Sequence, residues 1–182
     1  MIKELLQEGF ILKAKGYYKH AIEAFYKALE LDNSSSELLL EIADAYYAIN
    51  DEERALHYIE QILESSPTHI ESLKLLKKIF EDKKAWAEAE QTAKNIYCIS
   101  NSVEDLTEIF KLLNTQNKFD EIFEFKHDNS TAEILYEISY AKFMKQDYEE
   151  ALKIINQALD SSINNKCLLL KGKILFKLNK KD

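Results

Sequence analysis

The sequence repeats itself at a fixed interval of 34 residues. A period of this length is typical of chains built from stacked units, each of which is too small to bury its apolar face alone. We therefore expect one repeat array along the chain rather than a fold made of unlike parts. Two series of identical residues keep the interval: Leu5, Leu39 and Leu73, and Ala21, Ala55 and Ala89.

Within each unit the apolar residues recur with a helical period. In the first unit Leu5, Gly9 and Leu12 stand at i, i+4 and i+7, which places them on one face of a helix, and Ala21 and Phe25 do the same further along. The chain has only three glycines and one proline, too few for the turns of a β-sheet. The pattern predicts an all-α fold in which antiparallel helix pairs stack into a right-handed superhelical solenoid.

The first two units resemble tetratricopeptide repeats. They carry the small residue that this family has at the eighth position of its repeat (Gly9, Ala43), its aromatic residue at the eleventh (Tyr46) and its alanine at the twentieth. The resemblance covers almost the whole chain and predicts a single domain, residues 1–182, of about five and a half repeats. The predicted repeats cover residues 2–35, 36–69, 70–102, 103–131 and 132–164, followed by a capping helix at 165–180.

The later units depart from the family pattern at specific places. Lys77 occupies the position of the small residue in the third unit, and Lys142 replaces the usual aromatic residue in the fifth. The fourth unit has room for only a short second helix before residues 126–130. The sixth has a first helix alone, which is either a cap for the fifth unit or the point where a longer protein continues; we favour the cap.

Capping boxes mark three helix starts. In such a box a hydroxyl accepts a hydrogen bond from a backbone N–H, and a glutamate three residues later reaches back. The predicted boxes are Ser34 with Glu37, Thr68 with Glu71, and Ser130 with Glu133. One residue of each first helix is expected to pack against the preceding repeat. These residues are Ile11, Ala45, Ile79, Leu112, Ala141 and Ile174.

Composition and charge narrow the class of partner. The net charge of −8 repels a phosphate backbone, so we expect no nucleic acid partner. Cys98 and Cys167 have no Cys or His at ligand spacing, which predicts two small buried side chains rather than a disulfide or a metal site. The sequence shows no signal peptide and no apolar run of about 18 residues, so we expect a cytoplasmic protein without membrane insertion.

The sequence contains no catalytic motif and implies no cofactor. Its four histidines fall in different repeats, without a Ser, Cys or Asp at a recurring active-site spacing, and it lacks phosphate-loop glycines. Paired acids such as Glu52 and Glu53 stand at helix starts, where they complement the helix dipole. We therefore expect a protein that is not an enzyme.

The resemblance implies that the first helices line a concave groove holding a peptide or a helix of a partner protein. The middle of this groove is charged, and its C-terminal third carries aromatic residues of the kind that mark interaction surfaces. The alternative is that the final helix covers Tyr136, Tyr140, Phe143 and Met144 as core. The predicted peptide-binding residues are Phe10, Leu40, Asp44, Tyr47, Lys74, Lys78, Tyr136, Tyr140, Phe143, Met144, Lys173, Phe176 and Lys177.

One subgroup of the family clamps the C-terminal carboxylate of a chaperone with Lys, Asn and Arg side chains. The corresponding positions here carry none of these residue types, and two glutamates among them would repel a carboxylate, so we do not expect this activity. The positions are Leu6, Phe10, Glu41, Glu71 and Leu75.

Two functions follow from these observations. The first is a non-catalytic adaptor that binds a partner's peptide or helix in the groove, with Tyr136, Tyr140 and Phe143 as anchors and Lys173 and Lys177 as charge partners. The second is a subunit that associates with itself through the apolar face of its last helix, or the N-terminal region of a larger assembly protein. The apolar face in question includes Leu168, Leu175 and Leu178.

Overall fold

The protein is helical wherever the structure describes it. The computed structural model describes residues 2–31, 35–125 and 131–179, which form eleven α-helices and no β-strand. The predicted all-α fold is confirmed. The helices are α1 (Ile2–Ala14), α2 (Tyr18–Leu29), α3 (Ser36–Ala48), α4 (Glu52–Ser65), α5 (Ile70–Asp82), α6 (Trp86–Ser100), α7 (Val103–Thr115), α8 (Phe119–Glu124), α9 (Ala132–Met144), α10 (Tyr148–Ser161) and α11 (Asn165–Leu178).

The helices alternate as the first and second members of successive pairs. Connections of three residues join α1 to α2, α3 to α4, α7 to α8 and α9 to α10, and the two helices of each of these pairs are antiparallel neighbours. A connection of the same length joins α5 to α6. The chain divides into two compact units, Met1–Thr92 and Ala93–Asp182, with the boundary inside α6.

The core of the first unit lies between its helices. Phe25, Ile42, Ile59 and Ile79 come from α2, α3, α4 and α5 and are completely buried. Each of these side chains contributes roughly 1.5–3 kcal/mol of apolar burial relative to its exposed state. They lie on the apolar helix faces that the sequence period predicts.

Helices α1 and α2 approach closely at Gly9. A Cβ atom on Gly9 would lie 2.4 Å from Cε1 of Phe25, well inside the distance that packed carbon atoms keep. The small residue at the eighth position of this repeat therefore has a steric cause, because the Phe25 ring occupies the space that a side chain would need.

Three tyrosine hydroxyls connect α2, α3 and α4. The hydroxyl oxygen of Tyr26 lies 2.9 Å from that of Tyr46 and 2.5 Å from that of Tyr58, while the rings of Tyr46 and Tyr58 stack with their centroids 5.9 Å apart. Burial, together with the two neighbouring hydroxyls, raises the pKa of Tyr26. Tyr26 therefore stays protonated, and the three hydroxyls supply hydrogen bonds between the first two helix pairs.

The second unit has two apolar clusters. Ile109, Phe110 and Leu113 on α7 are completely buried, and Phe110 meets the ring of Phe125 edge-on at a centroid distance of 5.5 Å. Helix α8 has only six residues, as the sequence indicates for the second helix of the fourth unit. The other cluster, between α9, α10 and α11, contains Ala132, Leu135, Ala151, Ile155, Ala158, Cys167, Leu170 and Ile174.

The two lysines that depart from the family pattern are both engaged in ion pairs. Nζ of Lys77 lies 3.0 Å from a carboxylate oxygen of Glu81, one turn along α5. Nζ of Lys142 lies 3.1 Å from Asp147 and 4.6 Å from the centroid of the Phe123 ring. Each lysine lies at the edge of the packed surface, where the ion pair offsets the loss of water around the ammonium group.

The first helix of each pair ends in the same left-handed turn. The residue after its C-cap has a positive φ, and the next backbone N–H donates to a carbonyl near the helix end, as Tyr17 does to Leu12 at 2.9 Å and Asp147 does to Lys142 at 3.0 Å. This is the Schellman arrangement. In these five turns the residue with positive φ is Gly16 (79°), Asn50 (60°), Lys84 (57°), Asn117 (58°) or Gln146 (63°). The backbone thus repeats in every pair, including those whose side-chain pattern diverges.

The three predicted capping residues are wrong by one position. The capping hydrogen bonds are accepted by Ser35, His69 and Thr131, from the N–H groups of Leu38, Ser72 and Ile134. At the start of α5 the capping residue is His69 instead of the predicted Thr68, and its Nδ1 lies 3.3 Å from the Ser72 nitrogen. The other two predicted residues, Ser34 and Ser130, lie outside the described residues. At the other two starts two hydroxyl residues are adjacent, and Ser35 and Thr131 accept the capping hydrogen bond although neither has a glutamate three residues later. The choice between the two hydroxyls depends on which register buries the apolar face.

Two side chains that the sequence predicts to be buried are exposed. Cys167 is buried as expected, but Cys98 on α6 is exposed. Ile11 is also exposed, whereas Ala45 and Ile79 at the same position of the following repeats are completely buried. No repeat precedes α1 among the described residues, so nothing there covers Ile11.

Candidate binding clefts

The first helices of the first unit border an open cleft, the α1–α3–α5 cleft, with a volume of about 630 Å³. Its lining includes four of the predicted binding residues, contributed by all three first helices. The lining residues are Phe10, Lys13, Ala14, Tyr18, Glu41, Asp44, Tyr47, Ala48 and Lys78.

A three-membered ion cluster crosses this cleft. Nζ of Lys13 on α1 lies 2.5 Å from Oε2 of Glu41 and 2.6 Å from Oδ2 of Asp44, both on α3. Burial lowers the pKa of Lys13, but the hydrogen bonds to Asp44 and Glu41 outweigh it, so that the net shift is upward. Lys13 is therefore charged, and the cluster holds α1 and α3 in register while leaving one net negative charge in the cleft.

Aromatic rings form the rest of the cleft wall. The hydroxyl of Tyr47 donates to a carboxylate oxygen of Asp82, and Nζ of Lys78 lies 4.8 Å from the centroid of the Tyr47 ring. Burial and the hydrogen bond to Asp82 raise the pKa of Tyr47 to about 12. The Phe10 ring packs edge-on against Phe25 at 5.5 Å yet remains exposed. The cleft thus offers a fixed phenol and a fixed phenyl ring to a ligand.

The first helices of the second unit border a corresponding cleft, the α7–α9–α11 cleft, of about 470 Å³. Two predicted binding residues, Tyr136 and Tyr140, line it. Both rings are half-buried and also pack against the C-terminal apolar cluster. The lining residues are Lys111, Asn114, Thr115, Tyr136, Glu137, Tyr140 and Lys166.

A buried polar pair lies in the wall of this second cleft. Nδ2 of Asn114 donates to Oε2 of Glu137 at 2.8 Å and to the backbone carbonyl of Glu137 at 3.1 Å. Burial raises the pKa of Glu137, although Asn114, Lys111 and Lys166 act in the opposite direction. Oδ1 of Asn114 is buried and has no hydrogen-bond partner among the described residues. This pair fixes α7 to α9 beneath the two tyrosines.

The remaining predicted residues lie outside the two clefts. Leu40 is half-buried against the core of the first unit, and Lys74 is exposed. Phe143 packs against Tyr148 with a centroid distance of 5.6 Å, and Met144 is exposed at the end of α9. The others, Lys173, Phe176 and Lys177, are exposed on α11.

Sequence reasoning did not single out several cleft residues. Lys13, Glu41, Lys111, Asn114 and Glu137 share the groove-facing register but look like ordinary surface polar residues in the sequence. Opposite charges at the same register of successive first helices, as in Lys13 and Glu41, are the signal that could have identified the first cluster. No comparable signal exists for Asn114 and Glu137, because their burial is a tertiary property.

Two features are absent from the part of the chain that the structure describes. Its residues contain no group of three or more His, Cys, Asp or Glu side chains placed to hold a metal ion. None of their helices combines the length and apolar character needed to cross a membrane.

Comparison with known proteins supports the predicted resemblance. The sequence model of the tetratricopeptide repeat matches residues 12–79, which include the α1–α3–α5 cleft residues from Lys13 to Lys78. The resemblance to tetratricopeptide repeats that the sequence predicts is confirmed over this part of the chain. It is 25% identical over 174 residues to pre-mRNA-splicing factor 6 of Saccharomyces cerevisiae, a match covering 88% of this chain and 19% of that protein. The chain thus spans about a fifth of that relative's length.

Solved structures of repeat proteins share the fold. The structure of YrrB, described as a TPR protein with an unusual peptide-binding site, is 18% identical and superposes with a TM-score of 0.69 over 93% of this chain and 90% of its own. MamA of AMB-1 is 17% identical, with a TM-score of 0.67 over 92% and 96%. A thermophilic TPR protein of Thermus thermophilus is 17% identical, with a TM-score of 0.55 over 98% and 99%. At these identities the likeness establishes the fold alone.

Proposed function

We propose that this protein is a non-catalytic interaction module that holds an extended segment of a partner protein on its first-helix surfaces. The observation that carries the proposal is that successive first helices line an open cleft in each unit, and that these clefts include four predicted binding residues in the first unit and two, Tyr136 and Tyr140, in the second. Repeat proteins present such surfaces to peptides, and fixed aromatic rings are the side chains that contribute most to binding.

The two clefts differ in the ligand that they favour. The α1–α3–α5 cleft offers Phe10, Tyr47 and an excess of negative charge from Glu41 and Asp44, so it suits a segment with an aromatic or basic residue. The α7–α9–α11 cleft offers Tyr136 and Tyr140 beside two lysines. We expect affinities of about micromolar strength, because a flexible segment loses conformational freedom on binding. A cytoplasmic location is part of this proposal.

Selection of peptides from a random library against the full chain, followed by calorimetry, tests the proposal. Tyr47→Ala and Tyr140→Ala should weaken the selected peptides by about 1–3 kcal/mol each if the tyrosines are contact residues. Tyr17→Ala is the matched control, because Tyr17 is exposed and lines neither cleft. Thermal melting of each variant separates loss of binding from loss of fold. Peptide affinities that none of the cleft variants changes would refute the assignment of both clefts.

Self-association through the last helix, the alternative that the sequence raises, remains a prediction. The exposed leucines of α11 favour it, and the lysines of the same helix oppose it.

A further inference from the structure

The exposed side of α11 carries a continuous apolar stripe. Cys167, Leu170 and Ile174 mark the inward side of this helix and are buried. At about 100° per residue, four large apolar side chains fall on the outward side. They are Leu168, Leu169, Leu175 and Phe176, which expose 48%, 64%, 38% and 58% of their surface. A stripe of this kind on an outward helix face marks an interaction surface.

The stripe has a notch at its centre. Leu168 and Leu175 lie at i−4 and i+3 of Gly172, and Leu169 and Phe176 at i−3 and i+4, so that all four border the glycine. Nothing lies within 4 Å of the position that a Cβ on Gly172 would take. The two rows of apolar side chains therefore leave an open depression with the helix backbone at its base.

An equivalent glycine elsewhere in the chain shows what fills such a notch. Gly9 holds the same position in its repeat as Gly172, and there the ring of Phe25 from the neighbouring helix α2 lies against the glycine. Two helices of this chain thus pack with a bulky apolar side chain of one over a glycine of the other. The notch at Gly172 fits the same kind of partner, a helix laid along α11.

The charge on α11 determines the chemistry of that partner. The helix contains Lys166, Lys171, Lys173 and Lys177 and no acidic residue, in a chain of net charge −8. Lys166, Lys173 and Lys177 stand at i, i+7 and i+11 and form one flank of the stripe. A complementary helix therefore carries acidic residues along the flank that faces these lysines.

The same charge argues against a second copy as the occupant. In an antiparallel pair of identical helices, each flank faces the same flank of the other helix. Two copies of α11 would bring Lys173 and Lys177 against their own counterparts, which is destabilising.

We propose that α11 docks an acidic amphipathic helix of a partner protein, with a bulky apolar side chain of that helix over Gly172 and acidic side chains opposite Lys173 and Lys177. The docked helix occupies the outward face of α11, so this site is additional to the two clefts. The binding mode is that of an amphipathic helix on an apolar surface.

Fluorescence anisotropy with two synthetic helical peptides tests the proposal on the full chain. Both peptides have about 18 residues, with leucine and phenylalanine on one face; the other face carries glutamate in one peptide and lysine in the second. The glutamate peptide should bind at least about tenfold more tightly than the lysine peptide, and added salt should reduce the difference. Equal affinities, or no binding by the glutamate peptide, would overturn the proposal.

Four variants locate the site. Leu169→Ser with Phe176→Ser, and separately Gly172→Leu, should weaken the glutamate peptide by about tenfold or more. Lys173→Glu with Lys177→Glu should weaken the glutamate peptide and strengthen the lysine peptide. Ile163→Ser is the matched control and should change neither affinity, since Ile163 is an exposed apolar residue just before α11. Circular dichroism checks that each variant is folded.

Light scattering of the unliganded protein supplies the remaining outcome. The proposal predicts a monomer over the concentrations used for binding. A dimer that dissociates on the Leu169→Ser and Phe176→Ser changes would mean that a second copy covers the stripe, and would overturn it. Neither result depends on the clefts, because the variants of Tyr47 and Tyr140 test those separately.

Discussion

At the scale of single residues, the same repeat position has opposite requirements at the two ends of the chain. Gly9 is buried with the Phe25 ring against it, and Gly172 faces open space. Both glycines lie inside helices, where glycine costs roughly 0.5–1 kcal/mol relative to alanine. The environment therefore decides whether an added methyl group stabilises or destabilises the protein.

Gly9→Ala should lower the free energy of unfolding by about 1–3 kcal/mol, because the new methyl group displaces the ring of Phe25 in a packed core. Gly172→Ala should raise it by about 0.5–1 kcal/mol through the gain in helix propensity. Urea unfolding of the two variants beside the wild type measures both changes. A stabilising effect of Gly9→Ala would mean that Phe25 moves at little cost and that the close approach of α1 and α2 is not required.

Burial of Glu137 makes stability depend on pH. Its pKa is raised above the ordinary value of 4.5, so the folded state holds a proton that the unfolded state has already lost. The stabilising contribution of the protonated group is complete below about pH 4.5 and is lost as the pH rises through the raised pKa. Glu137→Gln keeps the hydrogen-bond acceptor for Asn114 without the charge, and its stability relative to wild type should therefore increase as the pH is raised from 4 to 7.

Denaturant titrations of wild type and variant at both pH values measure this effect. Glu133→Gln is the control, because Glu133 lies on the exposed side of the same helix. This variant measures the effect of removing one carboxylate that is not buried. A difference between Glu137→Gln and wild type that is the same at pH 4 and pH 7 would contradict the assigned direction of the pKa shift.

At the scale of the helix pair, the left-handed turn preserves the repeat where the side chains diverge. Gly16 accepts a positive φ without strain, and Asn50 and Asn117 tolerate it. Lys84 and Gln146 adopt a positive φ at a cost in conformational energy. In the left-handed region their Cβ atoms crowd the carbonyl oxygen that follows. Their presence at the turn indicates that the packing of the two helices fixes the backbone against local preference.

Lys84→Gly should raise the free energy of unfolding by about 0.5–1 kcal/mol, since relief of the left-handed strain outweighs the added chain entropy. Lys15→Gly is the control: Lys15 lies in the equivalent α1–α2 connection but does not have a positive φ, so the change should give no gain. Thermal and urea unfolding of the two variants provide the comparison. A loss of stability in Lys84→Gly would indicate that the lysine side chain stabilises the turn in another way.

The elements were largely predictable from the sequence, and their exact starts were not. The apolar period locates each helix because it depends on residues a few positions apart. Capping was misplaced where neighbouring hydroxyls compete, as at Ser34 and Ser35, since the register is settled by which residues the helix buries against its neighbours. Ile11 is also exposed for a tertiary reason, because no described helix covers its face of α1.

At the scale of the whole molecule, the charge is unevenly divided. Residues 1–92 carry 11 Lys and Arg against 18 Asp and Glu, and residues 93–182 carry 13 against 14. The first unit therefore bears almost all of the net negative charge. The lysines of α11 belong to the second unit. A partner of the first unit therefore meets a negative surface, whereas a partner of α11 meets a local cluster of lysines. Such a difference is a source of specificity rather than of affinity.

The repeat, the helix pairs and the helix faces that carry the predicted binding residues could be inferred from the sequence, because all of these follow from the spacing of residues along one chain. Which side chains meet depends on the tertiary structure. The ion cluster of Lys13 and the buried pair of Asn114 and Glu137 depend on distances between residues far apart in sequence. The notch at Gly172 is open because no side chain lies within 4 Å of the position of a Cβ on that glycine. Burial and electrostatic pairing are properties of those distances, and no local pattern encodes them.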